Sequence, residues 1–254
     1  MMKQVPATES VITIADDGKH VKTDNVKWVM NPYDEFAVEE ALQMKKKHGG
    51  TVSILSVGTD KTAETIRTGL AMGADKGILI NDPAGGTCDS LGIARILAAA
   101  LKGMSYDVII AGQRAVDDDN YIVGPAVAEF LDIPHISMVT KEEIIDNAIR
   151  CRRDIDGGSA VCEASYPVLF TTQRGLNEPR YASLPGIMKA KKKPIDTKSL
   201  ADIGLDADAV TPKVNIIGMK LPPEREGGKI IEGDNVQAKA GELVRVLSEE
   251  AKAV

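Results

Sequence analysis

Aromatic residues, cysteine and long apolar runs are all scarce in this sequence of 254 residues. Aromatics make up only 4%, so the core must rest on Val, Ile, Leu and Ala, which suits a parallel sheet covered by helices. The three cysteines lie far apart without a CxxC pair, which favours a reducing compartment and no metal knuckle: Cys88, Cys151 and Cys162. Because no apolar run approaches ~18 residues and the N-terminus lacks the apolar stretch of a signal peptide, we expect a cytoplasmic protein that is not membrane-embedded.

Basic charge is also in short supply. The net charge is −6 and the pI is near 5.2, which argues against binding of nucleic acid, because nucleic-acid binders carry a basic face. A small anionic ligand held by backbone N–H groups remains compatible with this charge. The three histidines share no local motif with Ser, Cys or acidic partners, so we expect no catalytic residue and no metal site.

Predicted strands and helices alternate through the first half of the chain. The β-rich runs, each followed by a helical pattern, occupy residues 26–30, 51–57, 77–80 and 107–111. Repeated strand–helix units imply right-handed crossovers and an α/β fold with a Rossmann-like parallel sheet and helices on both faces. Ligands bind at the carboxyl ends of such strands. The loops to inspect are therefore 31–34, 57–60 and 112–123.

Capping residues predict where two of the helices begin. Asn31 is expected as the N-cap of the first, with Pro32 at the first helical position and Asp34 as a capping-box acid, and Gly49 ends that helix. The run Gly-Gly-Thr-Cys-Asp-Ser at residues 85–90 resembles the glycine loop of ATP pyrophosphatases. It has one residue too many before the Asp and follows the wrong strand, so we interpret it as a loop and a helix N-cap.

The pattern changes after Pro134. Shorter β-rich runs, with Gly157-Gly158 as a turn, indicate an antiparallel extension of the sheet; they cover residues 136–139, 147–152, 159–164 and 168–172. Beyond Asn177 the chain is polar and rich in Lys and Pro, and an amphipathic stripe returns only over residues 236–247. A long extension that ends in an amphipathic helix packs either on its own domain or on a partner.

Three segments in register carry a family resemblance. They are NPYDEFAVEEAL at residues 31–42, IRTGLAMGAD at 66–75 followed by GQRAVDDD at 112–119, and LNEPRYASLPGIMKAKKK at 176–193. Together they resemble the electron-transfer flavoprotein β-subunit family, in order from Lys3 to about Pro194 and more loosely to the C-terminus. Any single segment is weak evidence, whereas three in register are strong.

The resemblance implies a heterodimer with a larger α subunit that holds most of the FAD. The β subunit of such a pair has a Rossmann-like fold and binds an adenine nucleotide, usually AMP. The pair takes electrons from dehydrogenases, often acyl-CoA dehydrogenases, and passes them to a quinone oxidoreductase. In a flavin-bifurcating branch, the β site holds a second FAD and the protein oxidises NADH. We accordingly expect a nucleotide-binding domain over residues 1–193 and a C-terminal arm over 194–254 on the partner subunit.

Carried over by position, the resemblance also implies the nucleotide-binding residues. They are Asn31, Pro32, Tyr33, Asp34, Val57, Gly112, Gln113, Asp118, Asn120, Tyr121, Ile122 and Val123. Phosphate is expected at the backbone N–H groups of the helix that follows Asp119, where the helix dipole favours an anion. At least one of the three aspartates at 117–119 is expected to cap that helix. Among them, Asp118 is the one that we expect to contact the nucleotide.

Two departures from the family pattern leave alternatives open. The AMP-binding version reads Asn-Gln-Thr-Gly after the acidic run, whereas this chain reads Tyr-Ile-Val-Gly at residues 121–124. AMP, a second FAD and a weakened site are therefore all possible. The family also opens with an apolar strand, whereas only Met1-Met2 precede Lys3. Either the start is mis-assigned, or a neighbouring strand has an exposed edge that promotes association.

A second expected site is a docking loop for the dehydrogenase. The resemblance implies that Leu184 is an apolar anchor, surrounded by the other docking residues Arg180, Tyr181, Pro185, Ile187 and Met188. A core Leu before a Pro is the alternative reading. The lysines at 189 and 191–193 are expected to be solvated surface, or to steer an acidic partner. A stand-alone nucleotide-binding sensor on the same fold is the competing function, although it gives no reason for residues 176–193.

Overall fold

The computed structural model describes residues 1–224 and 227–253. It divides the chain into two compact units, one of Met1–Gly218 and one that begins at Met219. No helix in the described ranges is long and apolar enough to cross a membrane.

Strands and helices alternate through the first part of the larger unit, as the sequence predicts. The elements in chain order are β1 (Gln4–Pro6), β2 (Trp28–Met30), α1 (Pro32–His48), β3 (Ser53–Val57), α2 (Thr62–Met72), β4 (Lys76–Ile80), α3 (Ser90–Lys102), β5 (Val108–Gly112) and α4 (Val123–Leu131). The strands that follow are β6 (His135–Ile145), β7 (Ala148–Ile155), β8 (Gly158–Ser165) and β9 (Val168–Thr172). After them come α5 (Leu184–Ala190), β10 (Ile195–Lys198) and α6 (Val236–Arg245).

The strands form two larger sheets and one short ribbon. One sheet has the order β10-β4-β3 and is parallel throughout. The other has the order β5-β9-β6-β7-β8, in which β9 is parallel to both β5 and β6, and β7 and β8 add an antiparallel hairpin. This arrangement confirms the Rossmann-like α/β fold with an antiparallel extension.

The placement of β9 differs from the sequence-based expectation. Residues 168–172 were expected to belong to the antiparallel addition, but β9 inserts between β5 and β6 and runs parallel to both. All five of its residues are buried. A strand buried on both faces has no polar alternation, and it therefore fits the interior of a parallel sheet.

Apolar side chains are buried on both faces of the sheets, which accounts for the helices on each side. Residues of α3 and α4 pack with β5 and β9 in one cluster that includes Ile96, Val127 and Leu169. Residues of α1 and α2 pack against β3 and β4 in a second cluster. The core thus consists of aliphatic side chains, as the low aromatic content requires.

The first helix begins as expected but is capped differently. Asn31 occupies the N-cap position and Pro32 the first helical position, yet the Asn31 side chain makes no capping hydrogen bond. The prediction of a side-chain cap is therefore wrong, because this side chain is used for a tertiary contact described below. Gly49, with φ of 81°, ends the helix as predicted. At α3, Asp89 is the N-cap and accepts from Gly92 N, which confirms that reading of residues 85–90.

The polar C-terminal part of the chain does not divide at residue 193. Residues Ile195–Lys198 form an edge strand parallel to β4, and the larger unit continues to Gly218. In the second unit, α6 covers most of the predicted helical stripe and ends at Arg245. Its apolar side chains are exposed, Val236 by 78% and Val244 by 61%. The docking of the arm on a partner subunit stays a prediction.

Candidate functional site

Two of the predicted loops meet at the carboxyl edge of the strands. Asn31 connects them: its Nδ2 donates to Arg114 O at 2.8 Å, and its Oδ1 accepts from Val116 N at 3.2 Å. Asp34 Oδ1 accepts from Gly112 N at 2.7 Å. The loop after β2 and the loop after β5 are therefore held together by side chains of the first. Val57 lies half-buried at the end of β3, at the same edge.

Asp34 fastens a third segment to this edge. Its Oδ2 accepts from Lys3 N at 2.8 Å, while its Oδ1 is bonded to Gly112 N. The side chain is buried, and burial raises the pKa of the carboxyl group, although the two backbone N–H bonds oppose that shift. Asn31 and Asp34 were expected to contact the nucleotide. Both direct their polar atoms to the protein, so they shape the loops that form the site.

The three aspartates of the acidic run after β5 pair with two cations, which offset two of their three charges. Lys3 Nζ bonds Asp117 Oδ1 at 2.8 Å and Asp118 Oδ2 at 2.9 Å. Arg114 pairs with Asp119. Each carboxylate has a cationic partner, so the run does not present three uncompensated charges to a bound phosphate. Asp118, the expected ligand, also accepts from Asn120 N at 3.3 Å and is about as exposed as its lysine partner.

Arg114 is the most constrained side chain of the loop. Its guanidinium lies 4.9 Å from the ring centre of Tyr33 and 5.5 Å from that of Tyr121, so it is stacked between two aromatic rings. It also donates to Tyr33 Oη at 2.8 Å. Tyr33 is thus oriented by Arg114, and Tyr121, which is 45% exposed, forms the outer wall of the cluster.

The backbone between the acidic run and α4 is strained. Asp119 and Tyr121 have φ of 54° and 56°, a region that residues other than Gly seldom adopt. Such strain persists where the surrounding structure or a ligand requires it. The helix itself begins at Val123 with Ile122 at the N-cap and no side-chain cap. The expectation that one of the three aspartates caps α4 is wrong, because Ile122 occupies the N-cap position and all three aspartates pair with cations.

The start of α4 offers backbone donors to an anion. The first N–H groups of a helix have no intrahelical partner, and Val123 and Gly124 supply two of them next to Ile122. Pro125 supplies none, because proline lacks the N–H. A side chain at Gly124 would put its Cβ 2.7 Å from Thr171 Cγ2, so the helix start sits directly against β9. This close packing fixes the direction in which the two donors point.

The remaining predicted residues lie in the loop after β5 and at the start of α1. Gly112 needs to lack a side chain, because a Cβ there would lie 2.7 Å from Tyr33 Cβ. Gln113 is buried, and its Oε1 has no hydrogen-bond partner within the described part of the chain. Asn120 Nδ2 donates to Ser90 Oγ at 3.0 Å, which ties the loop to the start of α3. Pro32 begins α1 and contributes no N–H donor.

Three residues of this edge were not identified as site residues from the sequence. Lys3 pairs with two of the aspartates, Arg114 stacks on both tyrosines, and Thr172 Oγ1 donates to Tyr33 O at 2.9 Å. Arg114 lies inside a segment that carries the family resemblance, whereas Lys3 lies only at the start of the range over which the resemblance runs. The signal that could have identified both residues was the need of an acidic run for neighbouring cations. Thr172 ends a strand whose position between β5 and β6 no local pattern reveals.

The expected docking segment is an exposed short helix. Ser183 Oγ accepts from Gly186 N and caps α5, which directs Leu184 outward with 80% of its surface exposed. Tyr181 is 98% exposed and Met188 is 63% exposed. The reading of Leu184 as a core residue is therefore wrong. Pro185 and Ile187 are exposed on the same helix.

Two cationic residues of this segment serve the chain itself. Arg180 makes a bidentate ion pair with the buried Glu39, at 2.7 Å from Nε and 2.8 Å from Nη2. Lys193 Nζ donates to Leu70 O at 3.2 Å and also to Ala74 O, so it satisfies carbonyls at the end of α2. The expectation of a solvated lysine run is thus wrong for Lys193, whereas Lys189, Lys191 and Lys192 are exposed.

A mixed α/β sheet with helices on both faces and polar loops gathered at its carboxyl edge places the chain among the Rossmann-like α/β proteins. A family model described as "Electron transfer flavoprotein domain" matches residues 19–203. The electron transfer flavoprotein subunit beta of Bacillus subtilis is 42% identical over 100% of this chain and 98% of the relative. The subunit of the same name from Homo sapiens is 39% identical over 92% of each chain. This chain belongs to the electron transfer flavoprotein family and has the electron-transfer role of its β subunits.

Proposed function

We propose that this chain is the β subunit of a heterodimeric electron transfer flavoprotein and that its carboxyl edge binds AMP. In this heterodimer FAD is held mainly by the α subunit. The observation that carries the proposal is the strained, charge-compensated turn between Asp117 and Val123, which ends at unpaired backbone donors. A partly compensated acidic run beside a helix start suits a ligand with both a phosphate and polar hydroxyl groups.

The residues at the edge fit an adenine nucleotide in three respects. Backbone N–H groups of Val123 and Gly124 take the place of the threonine hydroxyl that this chain lacks, and the α4 dipole favours the phosphate. Asp118 carries a carboxylate that accepts hydrogen bonds from a ribose hydroxyl. Tyr121 offers a flat exposed surface for a base. The bound FAD supplies the electron-carrying isoalloxazine ring, and this chain supplies the shape and polarity of the subunit interface.

The second candidate is a flavin-bifurcating β subunit with its own FAD and NADH oxidation. The run Val123-Gly124-Pro125 favours it, whereas Ile122 stands where that branch has a Gln. A stand-alone nucleotide-binding sensor is the third candidate and shares the same edge. The exposed α5 and the exposed face of α6 favour a subunit over a sensor. Exposed apolar surfaces of this kind are typical of sites that contact another protein.

The first experiment determines the ligand content of the heterodimer. The chain is co-expressed with its α subunit, the complex is denatured, and the released nucleotides are separated and quantified. One FAD and one AMP per heterodimer support the proposal. Two FAD and no AMP support the bifurcating candidate and lead to an NADH oxidation assay. A stable monomer that binds nucleotide and recruits no α subunit contradicts both.

We further propose that α5 docks the dehydrogenase through Leu184, and that a quinone oxidoreductase accepts the electrons. An exposed apolar anchor surrounded by polar residues is the composition of a binding hot spot. The variant Leu184→Ala is expected to weaken docking by roughly 30-fold or more, as for a hot spot worth about 2 kcal/mol, and to leave the melting temperature unchanged. The matched control is Val161→Ala, at a residue 65% exposed on β8.

The readout is the dependence of the electron-transfer rate on dehydrogenase concentration, measured for both variants of the complex with an acyl-CoA dehydrogenase. If Leu184→Ala and Val161→Ala behave alike, α5 is not the docking site. A loss of FAD from the Leu184 variant would instead place α5 at the contact with the α subunit.

A further inference from the structure

The exposed helix α5 is too short to hold its own position. It has seven residues, whereas isolated helices shorter than about 12 residues are marginal in water. Ala190 is its one buried residue, and it packs among the apolar side chains of α1 and α2. The direction in which Leu184 points must therefore come from contacts that α5 makes with other elements of the fold.

Arg67 of α2 holds the end of α5. Its Nη1 donates to Ala190 O at 2.8 Å and to Lys193 O at 3.3 Å, and Lys191 O lies 3.5 Å away. The last carbonyl groups of a helix have no partner within the helix, and the helix dipole favours a cation beside them. A single guanidinium thus satisfies the carbonyl that ends α5 and one in the turn that follows.

Lys193, which follows α5, makes the converse contact with the end of α2. Its Nζ donates to Leu70 O at 3.2 Å and also to Ala74 O. Each of the two helices therefore has its carboxyl end satisfied by a cationic side chain from the segment of the other. Because Arg67 and Leu70 lie within one turn of α2, these contacts fasten the ends of α2 and α5 to each other.

A glycine brings the beginning of α5 against the same helix. A Cβ at Gly186 would lie 2.4 Å from Ala71 O, so the backbones of α5 and α2 touch at this point. Gly186 comes two residues after Leu184, whereas the contact with Arg67 is at Ala190. The helix α5 is thus supported at two points on α2, and these two points define the direction of its axis.

The segment before α5 does not supply this constraint. Arg180 is paired with Glu39 of α1, but Tyr181, which follows it, is 98% exposed. Ser183 Oγ accepts from Gly186 N inside the same turn. Arg180 therefore fixes the place at which the segment leaves α1, and the direction of α5 depends on its contacts with α2.

We propose that Arg67 is a positioning residue for the docking of the dehydrogenase. It holds the end of α5 and thereby presents the exposed Leu184 to the partner in one direction. An anchor that is ordered before binding loses less conformational freedom when the complex forms, so it binds more tightly. This inference rests on the docking role proposed above for α5, and it adds that the anchor is fully effective only while α5 is held against α2.

The test is a double-mutant cycle on the complex with the α subunit. Arg67→Ala, Leu184→Ala and the combined variant are compared with the parent complex, and the electron-transfer rate is measured against the concentration of an acyl-CoA dehydrogenase. Arg67→Lys keeps a cationic donor, and Arg152→Ala, at an exposed residue of β7, is the matched control. The melting temperature and the FAD content of each complex show whether the variant is folded and loaded.

Arg67→Ala is expected to raise the half-saturating dehydrogenase concentration roughly five- to tenfold and to leave the maximal rate unchanged, because preorganisation acts on binding and not on the electron-transfer step. Arg67→Lys should recover most of this loss, and Arg152→Ala should resemble the parent. In the Leu184→Ala background, Arg67→Ala should add less than about twofold, since substitutions that act through one contact are not additive.

Full additivity of the two substitutions would overturn the proposal, because Arg67 would then act independently of Leu184. An unchanged half-saturating concentration for Arg67→Ala, with Leu184→Ala impaired, would overturn this positioning role alone. If Leu184→Ala itself behaves as the parent, the docking role of α5 fails and the positioning role fails with it.

Gly186→Ala keeps the test decisive if Arg67→Ala folds poorly. The added Cβ pushes α5 away from Ala71 O, so this variant perturbs the same placement from the other end of the helix. It should also raise the half-saturating concentration without a change in the maximal rate. A folded Gly186→Ala complex that docks as the parent does would contradict the proposal, because the placement of α5 against α2 would then have no effect on docking.

Discussion

The buried carboxyl of Glu40 makes the stability of the fold depend on pH in a direction that can be measured. Glu40 lies on α1 with 5% of its surface exposed, and Asn177 Nδ2 donates to its Oε2 at 2.6 Å. Burial raises its pKa from 4.5 to about 7, with the Asn177 hydrogen bond opposing and the neighbouring Glu142 and Glu39 adding to the shift. The folded state therefore binds a proton that the unfolded state releases.

The sign follows from the two pKa values. Below pH about 4.5 the carboxyl is protonated in both states, and Glu40 then does not lower the free energy of unfolding. Between about 4.5 and about 7 the unfolded state ionises first, so stability falls as the pH rises, and the loss is complete above the folded pKa. At 1.36 kcal/mol for each pH unit between the two pKa values, the full loss is about 3 kcal/mol.

The variant Glu40→Gln removes the charge and keeps an oxygen for the Asn177 hydrogen bond. We expect it to be about 2–3 kcal/mol more stable than the parent chain at pH 8.5 and nearly equal at pH 5. Urea unfolding at several pH values gives the difference, and Glu129→Gln on the exposed surface of α4 is the matched control. A constant difference between the two proteins across this pH range would refute the reasoning, since it would show that Glu40 keeps an ordinary pKa.

Two further variants test the packing of the site and the docking segment. Gly112→Ala places a Cβ 2.8 Å from the carbonyl carbon of Tyr33, so it should cost about 1–3 kcal/mol in thermal unfolding, whereas Gly158→Ala has open space and should be nearly neutral. Arg180→Ala leaves the buried Glu39 without its cation; because Arg180 is 42% exposed, a loss of about 1–2 kcal/mol is expected in urea unfolding. An unchanged midpoint would show that solvent replaces the guanidinium.

Local sequence patterns were sufficient to predict those features that depend on residues close together in the chain. The Asp89 cap, the glycine at the end of α1 and the apolar helix α3 involve residues within one turn of each other, and their sequence signals agree with the structure. The β7–β8 hairpin follows likewise from its glycine turn. The predictions failed where a contact joins distant segments: the β9 pairing spans strands 60 residues apart, as in Val108 with Val168.

In the site, too, local features were predictable from the sequence, whereas side-chain contacts between distant segments were not. The family segments pointed to the loops after β2 and β5, and these two loops do meet. The contacts of the individual side chains could not be deduced from the sequence. Capping preferences assign the Asn31 side chain to its own helix, whereas in the structure it bonds Arg114 O and Val116 N. The pairing of Lys3 with Asp117 and Asp118 joins residues more than a hundred positions apart. Charge alone could suggest that the acidic run needs a cation, but not which one.

The two parts of the protein that sequence reasoning left most open are connected physically by the start of the chain. Lys3 follows Met1 and Met2, which donate to Ile110 O on β5 and to Leu55 O on β3. Its backbone N–H and its side chain both hold the carboxyl edge, through Asp34 and through the acidic run. Lys3 therefore joins two segments of the carboxyl edge, because Asp34 lies in the first turn of α1 and the acidic run follows β5.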